Sequence, residues 1–287
     1  FNEAHDFIQQ AWTKPGPWRY EGKHYHYRHV NPWLRPYQQP IPECWIPGLV
    51  SPETVIWCAQ HRYPYLALAT FLEPTMEMWN LYADEAERQG YQAGPENFGY
   101  LQKIVVAESE EKAQELGRNW LFGGGQGAFA RPEWMFPSGY NSKAATARLA
   151  KAFTNPETGD IALAGLTYSE NMDVEAGRRT IQAQYEGMQA SNQFVVGTPK
   201  SVLPKLRHIM ETLRPGIFIC WHIEGPVSQE DAMTSMRLLG SEVLPTMRKW
   251  AKELGLTSPD EVKPGSRKLP ANGKRLPVVG EVKRAAE

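Results

Sequence analysis

The sequence predicts an α/β protein built on a parallel sheet. Three observations carry this. Short apolar runs, rich in β-branched and aromatic residues, alternate with segments of helical length and helical periodicity. The runs are apolar at consecutive positions, as strands buried on both faces are. Proline, glycine and small polar residues punctuate the joins.

The elements follow in order. Phe1, Ala4, Ile8, Ala11 and Trp12 recur at helical spacing, and Pro15, Gly16 and Pro17 end that helix near Lys14. No capping residue and no initiator Met precede it, so an upstream stretch of the gene product is expected. Trp18 to Tyr20 and His24 to Tyr27 flank Glu21-Gly22-Lys23, a hairpin with Gly22 at the turn. A proline-rich extended segment spans 32–42. Strands are then expected at 43–47, 65–70, 98–106 and 217–222, with one more short strand at 193–196. Helices are expected at 52–61, 77–89, 109–122 and 200–213. The stretch 229–254 reads as helix with a break near Pro245. This makes four main βα units.

Between the third and fourth units lies an insertion at 123–192, of the length that lids have. It opens with Gly123-Gly124-Gly125-Gln126-Gly127, which follows a helix instead of a strand and so reads as a hinge, not a nucleotide fingerprint. Helices are expected inside it near 143–153 and 174–188. The main domain is expected to end near 255, and 256–287 reads as an extended or disordered tail.

Composition narrows the function. A net charge of −1 argues against nucleic acid and against charged membrane surfaces as partners. Cys44, Cys58 and Cys220 are too scattered for a disulfide framework or a zinc site, which points to a reduced, cytoplasmic setting. No stretch has membrane-spanning length.

The most informative stretch runs from Trp45 to Trp57. A strand ends at Pro47, Gly48 lets the chain turn, Ser51 is an N-cap residue and Pro52 takes the first helical position. The helix opens with orphan amides, a positive dipole end and the hydroxyls of Ser51 and Thr54, which together suit a phosphate group. A plain helix cap is the competing reading, and Glu53 already complements the dipole. Trp221, His222 and Glu224 lie at the end of the last strand, where barrel active sites gather. His222 is an acid/base candidate there, with a structural hydrogen bond to Glu224 or the backbone as the competing reading. Thr70 and Glu73 end the second strand, where facing flavin or substrate is one reading and capping the following helix the preferred one. His24, His26 and His29 read as a solvated hairpin, and Glu108, Glu110 and Glu111 as an acidic first helical turn.

Several motifs carry a family resemblance. Phe1-Asn2-Glu3-Ala4, Ala11-Trp12-Thr13, Glu21-Gly22-Lys23-His24-Tyr25, Asn31-Pro32-Trp33 and Trp45-Ile46-Pro47-Gly48 resemble, in order and spacing, a stretch of the luciferase-like flavin monooxygenases. So do Ser51, Thr54, Trp57, Ala59 and Gln60, then Val105 to Ala107 with Glu110, Glu111 and Ala113. Val196-Gly197-Thr198-Pro199 with Val202, and Val243-Leu244-Pro245 with Arg248, carry the likeness to about Gly255.

The resemblance implies a TIM-barrel-like (β/α)₈ fold of which the last four βα units plus the insertion are present. It implies FMN, with the deazaflavin F420 as the alternative, and Gly48, Leu49, Val50, Ser51 and Thr54 around the phosphate. It further implies reduced flavin supplied by a reductase or by NAD(P)H, dioxygen, and a small organic substrate near Trp221 and Glu224. The alternatives are an F420-dependent dehydrogenase and a non-catalytic flavin-binding or assembly protein. The family's catalytic positions in its first four units have no counterparts here. A half barrel has two open edges, so homo-oligomer formation or pairing with an N-terminal half is expected.

Overall fold

The computed structural model describes residues 1–68, 70–123, 183, 185–223 and 227–280. The expected insertion falls largely outside these, as does Glu224. The chain divides into two compact units, Phe1–Trp45 and Ile46–Glu287.

In the first unit, helix α1 (Asn2–Thr13) ends at Lys14, one residue before the Pro15 ring forbids continuation. Strands β1 (Trp18–Glu21) and β2 (His26–Val30) pair antiparallel. Phe7 of α1 meets the rings of Tyr20 and Tyr27 at 5.0 and 4.9 Å. The Glu3 carboxylate accepts the amides of His24 and Tyr25 at 2.9 Å and so ties the hairpin turn to the helix. Gly22 permits this, because a Cβ there would sit 1.9 Å from Glu3 Oε1. Phe1 and Ile8, expected on the apolar face of α1, are exposed.

The second unit is the α/β part. It runs β3 (Ile46–Gly48), α2 (Pro52–His61), β4 (Tyr65–Leu68), α3 (Leu72–Arg88), β5 (Phe98–Val106), α4 (Glu110–Gly123), β6 (Phe194–Gly197), α5 (Pro199–Leu213) and β7 (Ile217–Trp221). Helices α6 (Gln229–Leu238) and α7 (Leu244–Glu253) follow, joined by a π-helical turn over Leu239–Val243. That turn is the expected break: Pro245 has no amide to donate, so it falls in the first turn of α7. Helix α3 begins a turn earlier than expected, since Pro74 falls in its first turn, where no amide partner is lost.

All pairings in this sheet are parallel. β3 pairs β4, β4 pairs β5, and β5 pairs both β6 and β7. Lys103 of β5 has Phe194 on one side and Trp221 on the other, so β6 and β7 lie on opposite edges of β5. The outer edges of β3, β6 and β7 have no strand partner among the described residues. The sheet is open and does not close into a barrel among the described residues.

Alternation along β5 separates two cores. Phe98, Tyr100, Ile104 and Val106 pack with α2, α3 and α5. Val105 points the other way and packs with Ala113, Leu116 and Trp120 of α4 and with Phe194 and Val196 of β6. Helix α4 therefore covers the face opposite the other helices, an arrangement that the alternation of elements did not reveal.

Beyond α7 the chain runs extended along the second unit as far as Gly280. The fully buried Glu96 carboxylate takes Arg267 Nε at 2.7 Å and Nη2 at 3.0 Å, and Thr257 Oγ1 donates to it at 2.8 Å. Arg275 pairs with Asp84 at 2.7 Å, Leu276 N donates to Gln92, and Val278 is buried.

Candidate cofactor site at the strand ends

The parallel strands share one direction and end at Gly48, Leu68, Val106, Gly197 and Trp221, staggered so that Gly48 is level with Tyr100, Trp221 with Lys103 and Gly197 with Val106. This is the end at which ligands collect in parallel α/β folds. The β3–α2 junction is held from beneath. Tyr65, fully buried on β4, donates its hydroxyl to the Leu49 carbonyl at 3.0 Å. Gly48 lies directly over that ring: a Cβ there would come within 2.7 Å of Tyr65 Cε2. Burial pushes the Tyr65 phenol well up, so it stays neutral and donates. Val50 is buried, and its packing fixes the far end of the turn.

Ser51 has extended dihedrals, as an N-cap should, and Pro52 starts the helix. Yet the Ser51 side chain does not cap its own helix. Its hydroxyl donates to Glu53 Oε2 at 2.9 Å, so Ser51 makes no side-chain cap to the first-turn amides of α2. Ser51 and Thr54 are half-buried and Glu53 is exposed. The donor set suits a phosphate monoester: two hydroxyls, first-turn amides and a dipole end. Glu53 opposes it by charge, but an exposed carboxylate can swing into water.

Trp221 and His222 do not form one site. Trp221 shares the α4 face with Lys103, whose Nζ lies 5.3 Å from the Trp221 ring centroid, and with Trp120, edge-on at 6.1 Å. His222 turns to the other face, where its Nε2 lies 2.8 Å from Ser235 Oγ of α6. Ser235 is buried and also accepts the Val106 amide at 3.1 Å. Burial holds the His222 imidazole below its ordinary pKa. Glu224, an expected partner, lies outside the described residues; among these, His222 meets a hydroxyl thirteen residues on. Ser235 borders a cleft of about 140 Å³ with Val106, Glu108, Lys112, Asp231 and Thr234, across which Lys112 reaches Asp231 at 3.3 Å.

The remaining candidates are structural. Thr70 does not cap α3, whose N-cap is Phe71; it is buried, and its hydroxyl meets that of Thr75. Glu73 is exposed in the first turn of α3. Among the described residues no group of His, Cys, Asp and Glu could hold a metal, and His26 binds Glu21 at 3.0 Å. Glu110 does more than complement its own helix. It accepts the Thr198 amide at 3.1 Å and the Thr198 hydroxyl at 2.9 Å, capping α5. Hydrogen bonds from Ser201 and Thr198 hold it below the usual carboxylate range. Tyr65 and Ser235 carried no distinguishing signal in sequence, and Glu110 read only as part of an acidic first turn and a family motif, because their partners lie far along the chain.

An open parallel sheet with helices packed on it defines an α/β protein of partial-barrel type. The luciferase-like monooxygenase family matches residues 1–214, and the chain belongs to that family. Among solved structures it is similar to the monooxygenase RslO1 of Streptomyces bottropensis, at 18% identity and TM-score 0.56, over 86% of this chain and 60% of that one. It is similar to the oxygenating constituent of 3,6-diketocamphane monooxygenase of Pseudomonas putida, solved with FMN, at 15% and 0.57, over 85% and 62%. The coenzyme F420-dependent tetrahydromethanopterin reductase of Methanopyrus kandleri follows at 14% and 0.51, over 85% and 62%. At these identities the likeness is one of fold. The chain spans about three fifths of the length of these structures. No curated protein matches it. No described helix is long and apolar enough to cross a membrane.

Proposed function

We propose that the chain carries the phosphate end of a flavin site and serves an FMN-dependent monooxygenase acting on a small organic substrate. One observation supports this most: the N-cap Ser51 makes no side-chain cap to the start of α2 and turns its hydroxyl away from those amides, inside a chain of the luciferase-like family. Ser51 and Thr54 would hold the phosphate with the backbone of Gly48, Leu49 and Val50. Tyr65 fixes that turn through the Leu49 carbonyl. Trp221, stacked edge-on with Trp120, offers an aromatic wall that excludes water at the ends of the sheet. Reduced flavin, supplied by a reductase partner or by NAD(P)H, provides the electrons that activate dioxygen, one oxygen atom entering the substrate and the other leaving as water.

The open edges of β3 and β7 are the places where further strands would complete the barrel, from a second copy or from an N-terminal half. F420 also bears a phosphate and would use the same seat; oxygen consumption with reduced FMN, absent with reduced F420, separates the two readings. Ser51→Ala with Thr54→Ala removes two hydroxyl donors to an anion. Each hydrogen bond to a charged group is worth about 1.5–3 kcal/mol, so FMN affinity should fall at least tenfold. Unchanged affinity in the double variant refutes the assignment.

A further inference from the structure

The hydroxyl of Ser235 has two neighbours, and their chemistry fixes where its proton goes. The Val106 amide can only donate, so Oγ accepts from it at 3.1 Å. The other neighbour is His222 Nε2 at 2.8 Å. Ser235 borders the cleft but is only 1% exposed, so its hydroxyl proton is far better placed for His222 than for water. No other acceptor lies within hydrogen-bonding reach among the described residues. If Nε2 carried a proton, the buried hydroxyl would be left with two donors pointing at it and no acceptor for its own hydrogen. If Nε2 is bare, every group is satisfied: Val106 N–H to Ser235 Oγ, and Ser235 O–H to His222 Nε2. The neutral ring then carries its proton on Nδ1.

From this we infer that Ser235 is a positioning residue that locks His222 as the neutral Nδ1–H tautomer, making its Nδ1 a fixed hydrogen-bond donor at the end of β7. In that form the imidazole has no free lone pair, because Nε2 is covered by Ser235 and Nδ1 bears the proton. While Ser235 covers Nε2, His222 has no lone pair with which to take a proton from a substrate. Its role is to donate to an oxygen acceptor, a carbonyl or an anionic oxygen, presented at the strand ends. Donation to a substrate carbonyl rests on the proposed monooxygenase reading; the tautomer itself does not. The lowered pKa of His222 agrees with a ring that stays neutral.

The test is the imidazole nitrogen spectrum of the nitrogen-15-labelled full chain at neutral pH, with His222 assigned by its loss in His222→Asn. The expected result is one protonated nitrogen, Nδ1, and one bare nitrogen, Nε2. An Nε2–H tautomer or a doubly protonated ring overturns the inference. Ser235→Ala should shift the ring toward the Nε2–H form that free histidine prefers, and Ser235→Thr should restore Nδ1–H. A wild-type tautomer retained in a folded Ser235→Ala variant also overturns the positioning role. If that variant does not fold, the wild-type and Ser235→Thr spectra still decide. Flavin titrations on the same samples report separately on the monooxygenase reading, so either claim can fail without the other.

Discussion

Gly48→Ala tests whether the β3–α2 turn is built as described. The added Cβ would meet Tyr65 Cε2 at 2.7 Å, Oη at 3.0 Å and Cζ at 3.2 Å. Real Cβ contacts of 2.7 Å do not occur, so either the ring or the turn must move. The ring is held: Tyr65 is fully buried and its hydroxyl is engaged by the Leu49 carbonyl. Overpacking of this kind costs about 1–3 kcal/mol. For a unit of this size that lowers Tm by roughly 2–12 °C. The natural control is Gly240→Ala in the π-helical turn, where a Cβ meets nothing within 4 Å. There the loss of chain entropy on folding shrinks, and stability should hold or rise by up to about 1 kcal/mol. Thermal unfolding followed by circular dichroism compares the two variants directly. If Gly48→Ala is as stable as Gly240→Ala, the close approach of the turn to Tyr65 is wrong, and so is the support assigned to the phosphate seat.

Further outcomes follow from the rest of the molecule. Arg267→Ala strands the fully buried Glu96 carboxylate, and breaking one side of a buried pair costs about 3–5 kcal/mol. Arg267 is partly exposed, so the low end is expected, and adding Glu96→Gln should recover much of the loss in urea unfolding. His222 should make stability depend on pH. Its folded pKa lies below the ordinary value of about 6.5, so below that pH the unfolded chain binds the proton more readily. The stability owed to neutral His222 is complete above the ordinary value and is lost as pH falls below it. His222→Gln should flatten that part of the pH profile; an unchanged slope would show that His222 is not its source.

Much of this fold could be read from the residues. Strand β5 and helix α2 have the expected bounds, because Pro52 starts the helix and an unbroken apolar run marks the strand. The short β6, expected at 193–196, is present at Phe194–Gly197. The likeness to the luciferase-like family was legible as well, through motifs such as Trp45 to Gly48 and Val196 to Pro199. Three features were not legible. Helix α4 lies on the opposite face of the sheet because Ala113, Leu116 and Trp120 pack on Val105 and Phe194, and periodicity gives a helix its stripe but not its side. His222 finds Ser235, and Ser235 finds Val106 across 129 residues, a pairing that no local pattern records. The residues after α7 looked too polar for a core, but their arginines meet the carboxylates Glu96 and Asp84. At the candidate site, the helix start at Ser51 was visible, while Tyr65 beneath it read as one more apolar strand residue.

The central claim is that the start of α2 holds a phosphate. Its most direct test is a fluorescence titration of the purified chain with FMN, with riboflavin, which lacks only the phosphate, run beside it. FMN bound at least tenfold tighter than riboflavin, with the difference abolished in the Ser51→Ala, Thr54→Ala variant, is the expected result. Equal affinities for the two flavins, or a preference for FMN that survives the double substitution, would contradict it.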